Sequence, residues 1–576
     1  MKRHYLITIS FVALWLLMDC AHRDKTPDWD TFVDQFIAGY FKLYPNIAVN
    51  AGRHEFDGQL PDFSTEGLAR QVAWFKDQGE RIAAFTQHQL TDSQQFEREY
   101  LLAIIDGKLF WLEGEHQWLY KNPYLYDAFY FLGDLSPIDP IVYITREYAP
   151  LPERMAAFTR LASNIRSLTE QIRANIRPPI PAPFLLTSRW SYGGLADFLE
   201  KDAPEAFASV DDEPLHKAFD QANADAVAAL REFDAWLEEQ ETEATNEYAL
   251  GSELYREMLW ACERVGIPLD SLEEIAWADL KRNRQALEES CNQLAPGKTI
   301  PECVEVVMND KPADDPVSEA RRQLSQLKAF VLDHDLVSIP SGDEEAQVEE
   351  TPSFLREYGA MILIPGPYEK GMPSFYYISP SDPAWSEEEQ LAYIFNKSAL
   401  LFISVHEVWP GHFLQVLKSN RSKSEIGKNL FSYAFSEGWA HYTEEMMWEA
   451  GLGNGDPMVH IGELLEALLR DVRFLSSIGL HTKGMTIDES EKMFQELAYQ
   501  DPVTARQQAV RGTFDPLYLN YTLGKLMIFK LREDWMAAKG DKGTLKAFHD
   551  QFLSYGMPPI PLVRKAMLGE DSGPGL

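Results

Sequence analysis

The sequence predicts a mainly α-helical protein with a small β element near the middle of the chain. Three observations carry this prediction. Apolar residues recur at three and four spacing over long stretches, as in Phe96, Leu101, Ile104, Leu109 and Leu112. Strand-like runs are few and short, and lie between residues 303 and 379. No GxGxxG follows a strand and no Walker loop is present, which argues against a doubly wound nucleotide-binding sheet.

The chain has 576 residues, of which 45% are hydrophobic and 12% aromatic, too rich in both for a disordered protein. Its 89 acidic and 53 basic residues give a formal net charge of -36, which disfavours nucleic-acid partners. The N-terminus reads apart from the fold. Lys2, Arg3 and His4 precede an apolar run from Tyr5 to Met18, short for a membrane span and right for a signal peptide. Cys20 follows, and the arrangement resembles a bacterial lipoprotein signal in which that cysteine is lipidated. Asp19 departs from the small residue usual before it, and Ala21 implies routing to the outer membrane. Residues 1–20 are therefore expected to be a lipoprotein-like signal, and the mature protein to be exported to the periplasm or outer membrane. Cys262, Cys291 and Cys303 remain, enough for one disulfide and one free thiol.

Residues 21–300 read as a helical region, with helical periodicity over 66–86, 93–120, 151–176, 213–243, 253–265 and 271–290. Pro178, Pro179, Pro181 and Pro183 break it. Residues 301–384 read as a mixed α/β insert or linker. Strands are expected at 303–308, Asp335–Ile339 and Pro373–Ser379, a helix at 317–332, and an acidic loop from Asp343 to Glu350. Residues 385–576 are helical again and carry the candidate chemistry, and the three regions are expected to form one continuous unit.

The sharpest local signal is VHEVWPGHFLQ at 405–415. His406 and Glu407 end an apolar helix, Leu391–Val405, and a buried His-Glu pair needs a partner or a role. His412 lies six positions after His406, which on a regular helix leaves the side chains roughly 120° apart. Pro410 and Gly411 interrupt the interval and allow His412 to swing back. A second cluster, FSEGWAHYTEE at 435–445, puts Glu437, His441 and Glu444 on one helical face. A catalytic zinc site takes two histidines, one carboxylate and an open water position. His406, His412 and Glu437 fit as ligands, with His441 the alternative to Glu437. His441 and Glu444 fit as groups orienting the ligands, and Glu407 as general base.

On these motifs the chain resembles the bacterial family of domain of unknown function 885 (DUF885), regarded as similar to helical zinc metallopeptidases and rich in exported lipoproteins. Its HExxPGHxxQ stretch is matched by His406, Glu407, Pro410, Gly411, His412 and Gln415. Its EGWAxYxE stretch is matched by Glu437, Gly438, Trp439, Ala440, Tyr442 and Glu444, which leaves His441 at a variable position. Later segments are matched by Gly479, Leu480, His481 and Gly484, by Gly512 through Lys525 in GTxDPxYxxYTxGK, and by Phe548, His549, Asp550, Leu553, Gly556 and Pro559.

The resemblance implies a metallopeptidase-like multi-helix fold with Zn2+ as cofactor, a peptide or small amide as substrate, and a lipid anchor. A metal-activated water is expected to attack an amide carbonyl with Glu407 as base. Candidate donors to the oxyanion are His481, Tyr518 and Tyr521, and candidate binders of a substrate carboxylate are Arg511 and Lys525. His549 and Asp550 read as a structural pair, and Arg189 and Trp190 as lining a cleft. The alternatives are a hydrolase of non-peptide amides and a catalytically inactive helical envelope binding protein.

Overall fold

Side-chain caps start many of the helices. Asp28, Ser64, Asp212, Asn396, Ser432 and Asp501 each accept a hydrogen bond from a backbone N–H two or three residues on, in the first turn of their helix. The structure, a computed structural model, describes residues 28–113, 118–126, 137–341, 344–352, 359–381, 386, 390–391, 393–569, 572–573 and 575–576. The signal segment and Cys20 lie outside the described residues.

The longer helices of the first half are α1 (Trp29–Leu43), α2 (Thr65–Ala83), α3 (Asp92–Glu113), α4 (Leu151–Asn175), α5 (Ala182–Phe207), α6 (Glu213–Gln240), α7 (Ser252–Glu263), α8 (Leu269–Leu294), α9 (Ile300–Met308) and α10 (Pro316–Asp333). Three strands follow, β1 (Ala346–Glu350), β2 (Ala360–Leu363) and β3 (Ser374–Ile378). The second half holds α11 (Lys397–Glu407), α12 (His412–Ser419), α13 (Tyr433–Glu449), α14 (Pro457–Thr482), α15 (Ile487–Leu497), α16 (Pro502–Phe514), α17 (Asn520–Lys539), α18 (Leu545–Leu553) and α19 (Ile560–Leu568). The fold is mainly α-helical with a small sheet near mid-chain, as the periodicity predicts. Of the prolines in the break, Pro178, Pro179 and Pro181 fall between α4 and α5, and Pro183 sits in the first turn of α5.

Helices α4, α5 and α6 pack on one another, α8 lies along α14, and α13 lies along α17. Buried apolar residues from Trp29 to Met567 join in one connected core. No helix among the described residues is long and apolar enough to cross a membrane.

The sheet has the order β1-β3-β2. β1 is parallel to β3 with Ala346 opposite Ser374, and β2 is antiparallel to it with Ala360 opposite Ile378. Tyr376 of β3 is buried and its hydroxyl lies 3.2 Å from Ser404 Oγ on α11, which ties the sheet to the helix carrying His406.

Three expectations for the middle region need correction. Residues 303–308 are not a strand but lie in α9, where Thr299 and Glu302 form a capping box. The run CVEVVM also suits one helical face, since Cys303, Val304 and Val307 are buried at positions i, i+1 and i+4. Residues 335–339 form no strand. Asp335 takes a left-handed φ of 50°, and Asp550 claims the Ser338 backbone N–H at 3.0 Å, so the ladder has no donor there. The acidic loop ends in β1, whose Ala346 and Val348 are buried between exposed neighbours. Pro373–Ser379 does contain a strand, β3. Cys291 and Cys303 form a disulfide between α8 and α9, and Cys262 is free.

Candidate metal centre

The six-residue interval between the histidines is closed by a turn between two helices. α11 ends at Glu407, and the Gly411 N–H donates back to the Val405 carbonyl at 3.0 Å. A Cβ at Gly411 would lie 1.8 Å from the His406 carbonyl oxygen, so only glycine permits this approach. α12 then begins at His412, whose ring meets His406 edge to face at 4.8 Å. The two motifs lock together here, because Trp439 Nε1–H donates to the Pro410 carbonyl at 3.0 Å.

Glu437 is delivered by a backbone contact between α13 and α17. A Cβ on Gly438 would lie 2.5 Å from Gly524 Cα, and one on Gly524 would lie 2.2 Å from the Ala434 carbonyl. Two glycines therefore let the helices touch. The same contact brings Tyr521 of α17 to the site, its ring stacked at 6.3 Å from His406.

Glu437 Oε2 lies 3.3 Å from His406 Nε2 and 3.4 Å from His412 Nε2. One ligand atom from each residue falls within 4.8 Å of the others. In a tetrahedral zinc site with bonds of roughly 2.0–2.1 Å, neighbouring ligand atoms sit about 3.3 Å apart. The two separations from Glu437 match this spacing, and the three side chains could hold a metal ion.

Their far sides are set for it as well. His406 Nδ1 lies 2.7 Å from Glu444 Oε1, and His412 Nδ1 lies 3.4 Å from Gln415 Oε1. Both acceptors favour a proton on Nδ1 and leave each Nε2 lone pair for a metal. Gln415 is anchored by donating to the Phe435 carbonyl at 3.2 Å, and Arg470 sits 3.4 Å from Glu444 Oε1.

Charge is unevenly held. Burial would raise the Glu437 carboxyl, but the two imidazoles outweigh it and keep it well below the carboxylate range. Burial would lower His406, yet hydrogen bonds to Glu437 and Glu444 raise it to about 9. Burial pushes Glu407 up despite the nearby imidazoles. His441 is fully buried, and burial, then the Lys525 charge, lowers it to about 3, so it is neutral. Its Nδ1 is 3.5 Å from Glu444 Oε2, beside the ligand-orienting carboxylate.

The other residues singled out in the sequence divide into two groups. Tyr521 and Arg511 lie by the cluster, with the Arg511 guanidinium 5.8 Å from the Tyr521 ring centre and paired to Asp515 at 2.9 Å. His481, Tyr518 and Lys525 are committed elsewhere. His481 is eleven residues along α14 from Arg470, about 16 Å at a helical rise. It bonds the Gly512 carbonyl at 2.8 Å among Trp118, Tyr248 and Tyr255, and burial lowers it to about 4. The Tyr518 hydroxyl donates to Ser476 at 2.8 Å. Lys525 is fully buried between Asp279 at 2.9 Å and Glu445 at 3.1 Å. His549 and Asp550 are structural but not paired with each other: His549 bridges Tyr442 and the Leu336 carbonyl, each at 2.7 Å, and Asp550 holds Ser338 and Lys418. Arg189 is spent on Asp234 and Glu241, and Trp190 is exposed.

Sequence reasoning missed Arg470 and Arg473. Their signal was present: Arg470 and Arg473 are the two arginines in a largely apolar helical run, Leu464 to Leu480.

Fold and site together define a mainly helical protein with a buried His-His-Glu cluster able to hold a metal ion. The chain belongs to the family described as bacterial protein of unknown function (DUF885), whose model matches residues 45–567. A structure described as that of a "putative lipoprotein of unknown function" from Shewanella oneidensis is similar, with a TM-score of 0.78 and 25% identity, covering 94% of this chain and 100% of that one. A "putative lipoprotein" from Colwellia psychrerythraea shares the fold, with a TM-score of 0.77 and 18% identity over 94% of this chain and 98% of that one. No curated protein gives a significant match.

Proposed function

We propose that this protein is a zinc-dependent hydrolase of amide bonds, with peptides as its substrates, held in the cell envelope. One observation carries the reading: two imidazole Nε2 atoms lie 3.3 and 3.4 Å from one carboxylate oxygen, all three within 4.8 Å of one another, with Glu407 next to the first ligand. His406, His412 and Glu437 hold the metal. When bound, zinc supplies a Lewis acid that polarises a carbonyl and makes water acidic. Glu407 takes the proton of the attacking water and passes it to the leaving amine. Burial raises its carboxyl above its ordinary value, the direction that suits a general base. Tyr521 donates to the developing oxyanion, a role supported by its ring lying stacked 6.3 Å from that of His406. Glu444 keeps the His406 ring in register. The catalytic machinery belongs to residues 385–576.

Export and lipidation at Cys20 are supported by the signal-like N-terminus and by the lipoprotein descriptions of the two similar structures. The Cys291–Cys303 disulfide suits an oxidising compartment.

A second reading, a hydrolase of other amides or an envelope protein that binds without turnover, has support from the comparisons, since neither the family nor the similar structures carry an assigned activity. Metal analysis of the purified chain and a Glu407→Gln variant separate the readings. We expect about one zinc per chain in both, and hydrolysis of a peptide library reduced at least 100-fold in the variant. Absence of tight zinc, or hydrolysis unaffected by the substitution, would overturn the main reading. Zinc without turnover of any peptide would favour the second.

A further inference from the structure

Three guanidinium groups surround one ring beside the cluster. Arg470, Arg473 and Arg511 lie 5.8, 4.8 and 5.8 Å from the Tyr521 ring centre. Two of them have carboxylate partners. Arg470 is paired to Glu466 at 2.5 Å and lies near Glu444, and Arg511 is paired to Asp515. Arg473 has none. It is only 7% exposed, and its one hydrogen bond is from Nε to the neutral Gln508 Oε1 at 2.8 Å. Its two terminal nitrogens bond to no described residue.

A buried arginine without a counter-ion is expensive. Its desolvation is not offset by an ion pair, and here two like charges adjoin it. Burial and then the Arg511 charge weaken its hold on its proton. Gln508 and the Tyr521 face offset only part of this. A cation kept against such a penalty is matched to an anion that arrives from outside, and its planar fork suits a carboxylate in particular.

We propose that Arg473, flanked by Arg511 and Tyr521, is the receptor for a substrate carboxylate, so that the protein acts on peptides near a free C-terminus. This rests on the amide hydrolase reading above. The Tyr521 ring centre lies 6.3 Å from that of His406 and 4.8 Å from the Arg473 guanidinium, so the carboxylate lies within the reach of one to three extended residues, at roughly 3.3–3.6 Å each, from the bond that is cut. The same receptor chemistry would take an acidic side chain, and the test separates the two sources.

The test is a binding measurement, so that it stands even where hydrolysis fails. The Glu407→Gln chain, which cannot consume the probe, is titrated calorimetrically with an N-acetylated tripeptide pool bearing free carboxylates. The same pool as C-terminal amides, and an amide pool with Asp or Glu as last residue, serve as comparisons. We expect the free-carboxylate pool to bind at least about 10-fold tighter than the plain amides. An added Arg473→Met substitution should abolish that difference, and Arg473→Lys should retain part of it. Equal binding of an acidic amide pool and the free-carboxylate pool would move the source to a side chain and overturn the C-terminal assignment. Equal binding of all pools, no binding of any, or discrimination that survives Arg473→Met would overturn the receptor itself.

Thermal melting gives an independent readout. A cation held for a ligand burdens the empty protein, so Arg473→Met should melt no lower than its parent. A misfolded or strongly destabilised variant would assign Arg473 a structural role and refute the proposal. Loss of peptide hydrolysis in the parent with carboxylate binding intact would refute the hydrolase reading and leave the receptor standing.

Discussion

Gly411→Ala tests the geometric basis of the metal site. The added Cβ would sit 1.8 Å from the His406 carbonyl oxygen and 2.5 Å from the Val405 carbonyl oxygen. Both obstacles are backbone, and real Cβ atoms essentially never come closer than 3.0 Å. The turn must therefore open by more than about 1 Å, beyond the roughly 0.5 Å within which such constellations function. His412 rides on that turn and should leave the cluster. We expect zinc affinity to fall at least about 100-fold, or about 2.7 kcal/mol. Overpacking should lower fold stability by about 1–3 kcal/mol. Competition with a chromophoric chelator measures the first quantity, and circular dichroism melting the second. Gly193→Ala is the control, because its Cβ meets nothing within 4 Å. A folded Gly411→Ala protein that binds zinc within threefold of the parent would refute the reasoning.

Three further outcomes follow from the same structure. Glu444→Gln, which replaces the acceptor 2.7 Å from His406 Nδ1, should weaken zinc about 10- to 100-fold, and unchanged affinity in the chelator assay would remove Glu444 from the site. Lys525→Met leaves Asp279 and Glu445 with Arg282 alone as their shared cation and should lower denaturant stability by about 1.5–3 kcal/mol, whereas a change in substrate KM alone would restore the substrate-binding role expected from sequence. Burial would lower His54, but hydrogen bonds to Asp57 at 3.0 Å and Glu369 at 3.2 Å raise it to about 9. Its folded pKa exceeds its ordinary 6.5, so its contribution is complete below that value and is lost as pH rises through about 9. A His54→Gln protein should therefore lose stability relative to the parent at pH 6 but little at pH 10, as read by denaturant titration.

The helical class was legible because helical periodicity is a local property, and so were most helix positions, through their caps and prolines. The β element was legible only in part. CVEVVM carries a pattern that strand and helix both accept, and the capping box at Thr299 decided for helix. β1 has only two buried side chains, and pairing with β3 across the intervening chain gives it its structure.

At the site, sequence alone determined which side chains were available: His406, Glu407, His412, Glu437 and Glu444, at spacings that three helices bring together. Tertiary structure decided which of them meet and which outlying residues join. Gly411 folds His412 back onto His406, and the Gly438–Gly524 contact brings Glu437 and Tyr521 in from different helices. The same packing gives Lys525 to Asp279 and Glu445, and His481 to Gly512, far along α14. Arg473 shows the limit most plainly. Its charge is written in the sequence, but its lack of a counter-ion exists only once α14, α16 and α17 are packed. A desolvation penalty depends on every neighbour at once, and no local pattern encodes it.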